Sequence, residues 1–503
     1  MTKRVVEQLE FRRPLPVVEG NADYLAYEAE LIGISRLLTS SGLEDVYVEK
    51  GLAGWLQELR IAAEKEGRRF TLPSVKALAQ HQRLCCQALR CNIARELTEK
   101  EYRKFSRRLA ESPLLQWFCR VDRMEKSLVP GKSTLERYDK MIPESDVRRL
   151  VDRLNRQTMD EAERLHLVEA FTLDVCLSDT TCVKANIHFP TDWVLLRDGV
   201  RTLMKAVKVI RQHGLRHRMP DPDKFLRDIN RLSIEMSQSR RRQDSEKRRK
   251  TVLRRMKRLT KLVQEHAQRY CSRLQTDWKT ETDLSEGQMK QIVRRMDGIL
   301  EQLPTAIRQA HERIIGGRKV ENRDKILSLY EPDIHVIVRK KAEAEVEFGN
   351  TLFLAEQEDG LIVDWELERE ISPGDIALLQ KSMPRMKEVF GQYPKAVGGD
   401  RGFSSRAFHQ WLENEKIGDA ICPRSPQELT ERMKNPTFRN IQRRRAQTEG
   451  RIGILKNDYL GRPLRSKRFE HRELAVTWAV LTHNLRLIAR AVREAEEEQL
   501  KAA

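Results

Sequence analysis

The chain has 503 residues, more than one compact domain of the usual ~100–200 residues, so roughly two to four units are expected. Lys and Arg number 94 against 75 Asp and Glu, and the resulting net charge of +19 favours polyanionic partners. Hydrophobic residues at 39% suffice for real cores, but 34% charged residues and no apolar run near the ~20 residues of a bilayer span exclude an ordinary membrane protein. At the N-terminus Lys3 and Arg4 are followed by Glu7 and Glu10 rather than by an apolar secretory segment, so a cytoplasmic location is expected.

Eight cysteines without a Cys-x-x-Cys pair read as reduced core residues rather than a disulfide scaffold. Cys85, Cys86 and Cys91 lie near His81, but Cys85 and Cys86 are adjacent and no second ligand pair follows at zinc-finger spacing. A metal site there is not expected.

In chain order, residues 1–165 read as mainly helical, with apolar spacing through Leu31, Ile34, Leu37 and Leu38 and then Val75, Leu78, Ala79 and Leu89. Within them Ser133 and Glu136 predict a capping box at a helix start. Residues 171–183 alternate as a strand: Leu173, Val175, Leu177, Thr181 and Val183 share a phase with Asp179. That strand presents a carboxylate on one face.

After Pro190 the pattern is helical to about Leu303, where Pro304 predicts an interruption and Gly316-Gly317 a loop. Arg240 to Arg269 holds thirteen Lys or Arg against Asp244, Glu246 and Glu265, while Val252, Met256, Leu259 and Val263 keep an amphipathic spacing. This helix is expected to pair with the Met289, Ile292, Met296, Ile299, Leu303 stripe. Its basic face, with Arg248, Arg249, Arg254 and Arg255, is expected to touch DNA rather than only to solvate a hairpin.

From Ser328 onward strands and helices alternate. Thr351–Gln357 and Leu361–Leu367 flank the turn Glu358-Asp359-Gly360 as a hairpin. A helix over Pro373–Phe390, a strand over Ala396–Asp400, a helix over Ser404–Asn414 and a strand over Asp419–Cys422 follow, then a basic helix and a closing helix through Trp478, Leu481, Leu485 and Ile488. The order predicts an α/β fold with a mixed sheet.

Three carboxylates carry the chemistry. Asp179 stands among small hydroxylated residues on its strand, and Asp400 closes a second strand between glycines that permit close approach. Each alone could be an edge residue or a turn cap. Glu449 is the only acid from Arg439 to Lys456, among six cations. An Arg445–Glu449 salt bridge would explain it without function. At about 100° per residue, however, Arg445, Glu449 and Lys456 share one helical face, although Gly450 and Gly453 predict local irregularity. Carboxylates on separate elements of one sheet can hold two divalent ions, and oxygen-only ligands favour Mg²⁺ or Mn²⁺.

These residues resemble a known family. Leu177-Ser178-Asp179-Thr180-Thr181 with Ala185 to Asp192, Gly399-Asp400-Arg401-Gly402-Phe403-Ser404, and Arg445-x3-Glu449-x6-Lys456 look like the DDE transposases of bacterial insertion sequences. The likeness is to the subset with a Tyr-x2-Arg-x3-Glu-x6-Lys signature, and it extends to Trp117-Phe118, Pro130 with Ser133 to Leu135, Val346 to Gly349 and His483 to Leu485. Gln442 replaces the signature Tyr, Trp193 follows Pro-Thr-Asp where a small residue is commoner, and Arg339-Lys340-Lys341 replaces the usual Gly-Lys.

The resemblance implies an RNase H-like catalytic core at 166–200 and 326–498, a DNA-end-binding helical domain at 1–165, and a basic helical insertion at 201–325. Asp179, Asp400 and Glu449 would bind two Mg²⁺ or Mn²⁺ ions, with Asp174 and Asp192 as alternatives for the first acid. Arg445 and Lys456 would hold DNA near the cut. The implied activity is cleavage at terminal inverted repeats and joining of 3′ ends to target DNA, by a homodimer on double-stranded DNA without a membrane. A DNA-binding or regulatory protein that descends from such an element, without catalysis, is the alternative. A bacterial, nucleoid-associated location follows.

Overall fold

A computed structural model describes residues 13–15, 17–239, 244–341 and 344–502. Seven helices come first: α1 (Ala22–Ser40), α2 (Leu43–Lys65), α3 (Val75–Leu97), α4 (Tyr102–Glu111), α5 (Pro113–Phe118), α6 (Lys132–Asp139) and α7 (Glu144–Asp160). Here the predicted capping box fails. Gly131 caps α6, its carbonyl accepting the N–H groups of Thr134 and Leu135 at 3.0 Å, so Ser133 already lies inside the helix and its hydroxyl caps nothing.

Strand β1 (Val175–Lys184) is followed by the helices α8 (Asp192–Gln212), α9 (Pro222–Ser239), α10 (Ser245–Glu281) and α11 (Glu286–Ala310). These four helices bury their own core, in which Val252, Met256 and Val263 of α10 meet Met289, Met296, Ile299 and Leu303 of α11. The expected pairing of these two stripes is present. Pro304 does not interrupt α11: packing of Leu303, Ala306 and Ile307 outweighs a cost of about 3 kcal/mol for the missing hydrogen bond and the ring clash. Arg240 to Arg242, at the start of the basic stretch, lie outside the described residues.

Strands β2 (His335–Lys341), β3 (Ala344–Gln357) and β4 (Ile362–Leu367) come next, then α12 (Asp375–Phe390), β5 (Ala396–Gly399), α13 (Arg406–Asn414), β6 (Gly418–Ile421), α14 (Pro426–Arg432) and α15 (Pro436–Ile454). A π-helical turn at Leu455–Leu460 leads to α16 (Phe469–Ala502). The sheet runs β2-β3-β1-β5-β6, with β4 also on β3. β1 is antiparallel to β3 and parallel to β5, and β5 is parallel to β6, so the sheet is mixed, as expected for an RNase H-like core with helical regions around it. β2 goes beyond the elements expected from the sequence. It shares one edge of β3 with β4, pairing near Gly349 while β4 pairs at Leu352–Glu356.

The N-terminal helices do not keep a core to themselves. Leu31 of α1, Phe353 of β3 and Trp478 of α16 belong to one continuous cluster. All eight cysteines are free, six of them buried, and His81 stacks on Trp55 at 4.2 Å. Among the described residues no helix is long and apolar enough to cross a membrane.

Candidate active site

Strand register brings the first two acids together. Leu177 of β1 pairs in parallel with Gly398 of β5, and both acids lie two residues beyond this pair, Asp179 within β1 and Asp400 at the cap of the 3-10 turn that follows β5. Side chains alternate across a strand, so Asp179 shares its face with Leu177 and Thr181. Leu177 packs with Phe438 and Ile441 of α15, which places α15 over that face. Gly398 makes this docking possible, because a Cβ there would lie 2.7 Å from Leu177 and 3.0 Å from Ile441.

The other face of β1 looks toward α12: Thr180 donates its hydroxyl to Asp375 Oδ1 at 2.9 Å, and Cys176 Sγ lies 3.7 Å from Met386 Sδ. Asp400 Oδ1 accepts the Gly402 N–H at 2.7 Å and caps a short 3-10 turn. A Cβ on Gly402 would strike Asp375 Oδ2 and approach Asp400 Oδ1 to 2.9 Å, so a larger residue would push these carboxylates aside.

α15 carries Glu449 and Arg445, and its position is fixed on one side by the β3–β4 hairpin. Arg451 Nε bonds the buried Glu356 at 3.0 Å, Arg444 reaches Glu358 at 2.6 Å, and Gln447 donates to the Glu358 carbonyl at 3.1 Å. Among the described residues no ion pair joins Arg445 to Glu449, so the bland explanation for that acid is not realised. The irregularity expected from Gly450 and Gly453 falls just beyond them, in the π-helical turn at Leu455–Leu460. From that turn Lys456 Nζ reaches Thr181 Oγ1 at 3.0 Å.

Electrostatics link the other two acids to Asp179. Burial pushes the Asp179 carboxyl up to about 6, its own bond from the Thr180 N–H lowers it, the carboxylates of Asp400 and Glu449 raise it further, and Arg445 lowers it. A cation among these groups would relieve both the burial and the repulsion. The donor set is all carboxylate oxygen, which fits Mg²⁺ or Mn²⁺. Still, among the described residues no three His, Cys, Asp or Glu side chains are drawn together closely enough to form a ready-made metal site.

Other candidates from the sequence sit elsewhere. Asp174 pairs with Lys395 at 2.6 Å, and Asp192 is buried at the start of α8, bonded to Arg313 and Gln309 at 2.8 Å. On α10, Arg248 and Arg255 both pair with Glu235 of α9, at 3.6 and 3.1 Å, Arg249 is half-buried and Arg254 is exposed. Gln442 donates to the carbonyls of Ala420 at 2.5 Å and Gly399 at 3.3 Å, stitching α15 to the strand ends beside Asp400. A cavity of about 660 Å³ lies away from the acids, between α7, β4 and α12, beside Arg148, Asp364 and Arg385.

Sequence reasoning missed Glu356, the buried anchor of α15, and Asp375, the partner of Thr180. An acid ending the apolar run Leu352-Phe353-Leu354-Ala355 was the available signal for Glu356. Asp375 carried none.

No curated protein and no solved structure matched the chain. Residues 355–485 match the family described as "Transposase DDE domain", a segment that contains Asp400, Glu449, Arg445 and Lys456 but not Asp179. Over that segment the chain is similar to transposase DDE domains, in line with its resemblance to the DDE transposases of bacterial insertion sequences.

Proposed function

We propose that this chain is an insertion-sequence transposase that binds the terminal inverted repeats of its element, cleaves DNA at the ends and joins the 3′ ends to target DNA. The observation that carries this reading is that the carboxylates of Asp400, just after β5, and Glu449, on α15, both act on the buried carboxyl of Asp179 on the neighbouring strand β1. In it, all three carboxylates would hold divalent ions. When bound, a pair of Mg²⁺ or Mn²⁺ ions supplies Lewis-acid stabilisation of the attacking and leaving oxygens at phosphorus.

The chain's own groups orient the DNA. Arg445 acts on the acid face and Lys456, held at Thr181, projects from the following turn, so both cations lie where backbone phosphates flank the scissile bond. Helices of residues 1–165 bind the element end, the exposed face of α10 adds affinity independent of sequence, and a homodimer brings two ends of double-stranded DNA together.

A second reading, a DNA-binding or regulatory protein without catalysis, is favoured by the lack of three acids drawn together as a ready-made site among the described residues. Cleavage and strand transfer on a labelled element end in Mg²⁺ separate the two. Binding with neither reaction would leave only the regulatory reading.

A further inference from the structure

A cavity of about 240 Å³ opens between α8, α11 and the loop after β1. Arg197, Arg201 and Lys205 line it at i, i+4 and i+8 of α8, Arg295 enters from α11, and His188 closes it from the loop. The one acid in the lining, Asp198, is already held by Arg197 at 2.9 Å. Among the described residues no carboxylate pairs with Arg201, Lys205 or Arg295. Tyr330 forms a fixed wall, its hydroxyl 2.7 Å from Thr202 Oγ1 and 3.3 Å from the Asp198 carbonyl.

Cations from two helices gathered around one concavity repel each other, and a purely structural cavity would be expected to hold carboxylates that balance them. A bound anion would balance them here. The site also has a fixed relation to the acids, because β1 carries the chain roughly 17 Å from Asp179 to Lys184, four residues before His188.

We propose that this cavity binds a phosphodiester group of duplex DNA away from the bond to be cut. The assignment rests on the transposase reading and adds to it a specific anchor on the helical insertion. Guanidinium groups offer paired donors to phosphate oxygens, and Lys205 adds a point charge.

Phosphate-ethylation interference with the full chain on a labelled element end tests it. Ethylating a phosphate outside the cleavage position should weaken binding by the unsubstituted chain, and that interference should vanish in Lys205→Gln/Arg295→Gln. The double variant should also show a salt dependence shallower by about 0.9 in log–log slope for each phosphate that is no longer neutralised. Both side chains are exposed, so folding should survive, and Lys205→Arg/Arg295→Lys should restore the interference. Interference that is absent from the start, or unchanged in the Gln variant while cleavage proceeds, overturns this assignment alone. A chain that binds no duplex overturns the transposase reading and this site with it. A rise in melting temperature with inorganic phosphate, abolished in the Gln variant without any change in interference, would assign the cavity to free phosphate instead.

Discussion

Arg451 Nε lies 3.0 Å from Glu356 Oε2, and this pair locks α15 onto β3 two residues beyond Glu449. Glu356 is fully buried, and burial raises its carboxyl while Thr448 and Arg451 pull it back down. Such a pair does little for stability against an apolar substitute of the same size, but it sets where the helix sits.

Removing only Arg451 should therefore be costly. Arg451→Met is expected to destabilise the chain by about 3–5 kcal/mol, because it strands the Glu356 charge, and Arg451→Met/Glu356→Gln should recover much of that. Urea unfolding of the three proteins reads both effects. Equal stability of Arg451→Met and the parent chain would show that α15 is held by other interactions.

Asp400→Asn removes charge at nearly constant shape and keeps an oxygen to accept the Gly402 N–H. Several kcal/mol of charge stabilisation at phosphorus would disappear, so cleavage should fall by about 10³-fold or more while DNA affinity and melting temperature stay near the parent values. Asp179→Asn and Glu449→Gln should behave alike. Cleavage retained by any one of them in Mg²⁺ would remove that residue from the site.

The basic face of α10 should not act as a unit. Arg248 and Arg255 are engaged by Glu235, whereas Lys247, Arg254, Arg258 and Lys261 are exposed on one side of the helix. Replacing these four with Gln should flatten the log–log salt slope of DNA binding by up to about 3.6, at about 0.9 per neutralised phosphate. Arg248→Gln/Arg255→Gln should change the slope little and cost at most about 1 kcal/mol of stability. A slope unaltered in the folded quadruple variant would mean that this face only solvates the bundle.

His483 is buried on α16 and its Nε2 meets the Gly360 carbonyl at 3.1 Å, which requires a proton on that nitrogen of a neutral ring. Burial pushes its pKa down to about 4, with Arg451 and Arg486 lowering it and the Gly360 bond raising it. A base depressed in the folded state contributes stability that is complete above its unfolded pKa of about 6.5 and is lost as pH falls toward 4. The loss should be on the order of 3 kcal/mol. Unfolding free energies measured from pH 7 to pH 4 should fall less steeply for His483→Gln than for the parent chain, and parallel curves would refute the role.

What could be read from the sequence was whatever is encoded within a few neighbouring residues. Period-two apolar spacing marked β1 and placed Asp179 in phase with Leu177, the turn Glu358-Asp359-Gly360 marked the β3–β4 hairpin, and helical spacing paired α10 with α11. Motifs of adjacent residues likewise pointed to Asp400 and Glu449. Local rules failed where packing outweighed them, as at Pro304 inside α11 and at Gly131 in place of Ser133.

Relations between distant segments were settled only in three dimensions. The parallel pairing of β1, which carries Asp179, with β5, which leads into Asp400 221 positions later, the Glu356 anchor beneath α15, the diversion of Arg248 and Arg255 to Glu235, and the core shared by α1, β3 and α16 all arise between residues far apart in the chain. A side chain's charge and size are written locally. Which opposite charge or apolar surface it meets is fixed only when burial and pairing are satisfied for the whole chain at once.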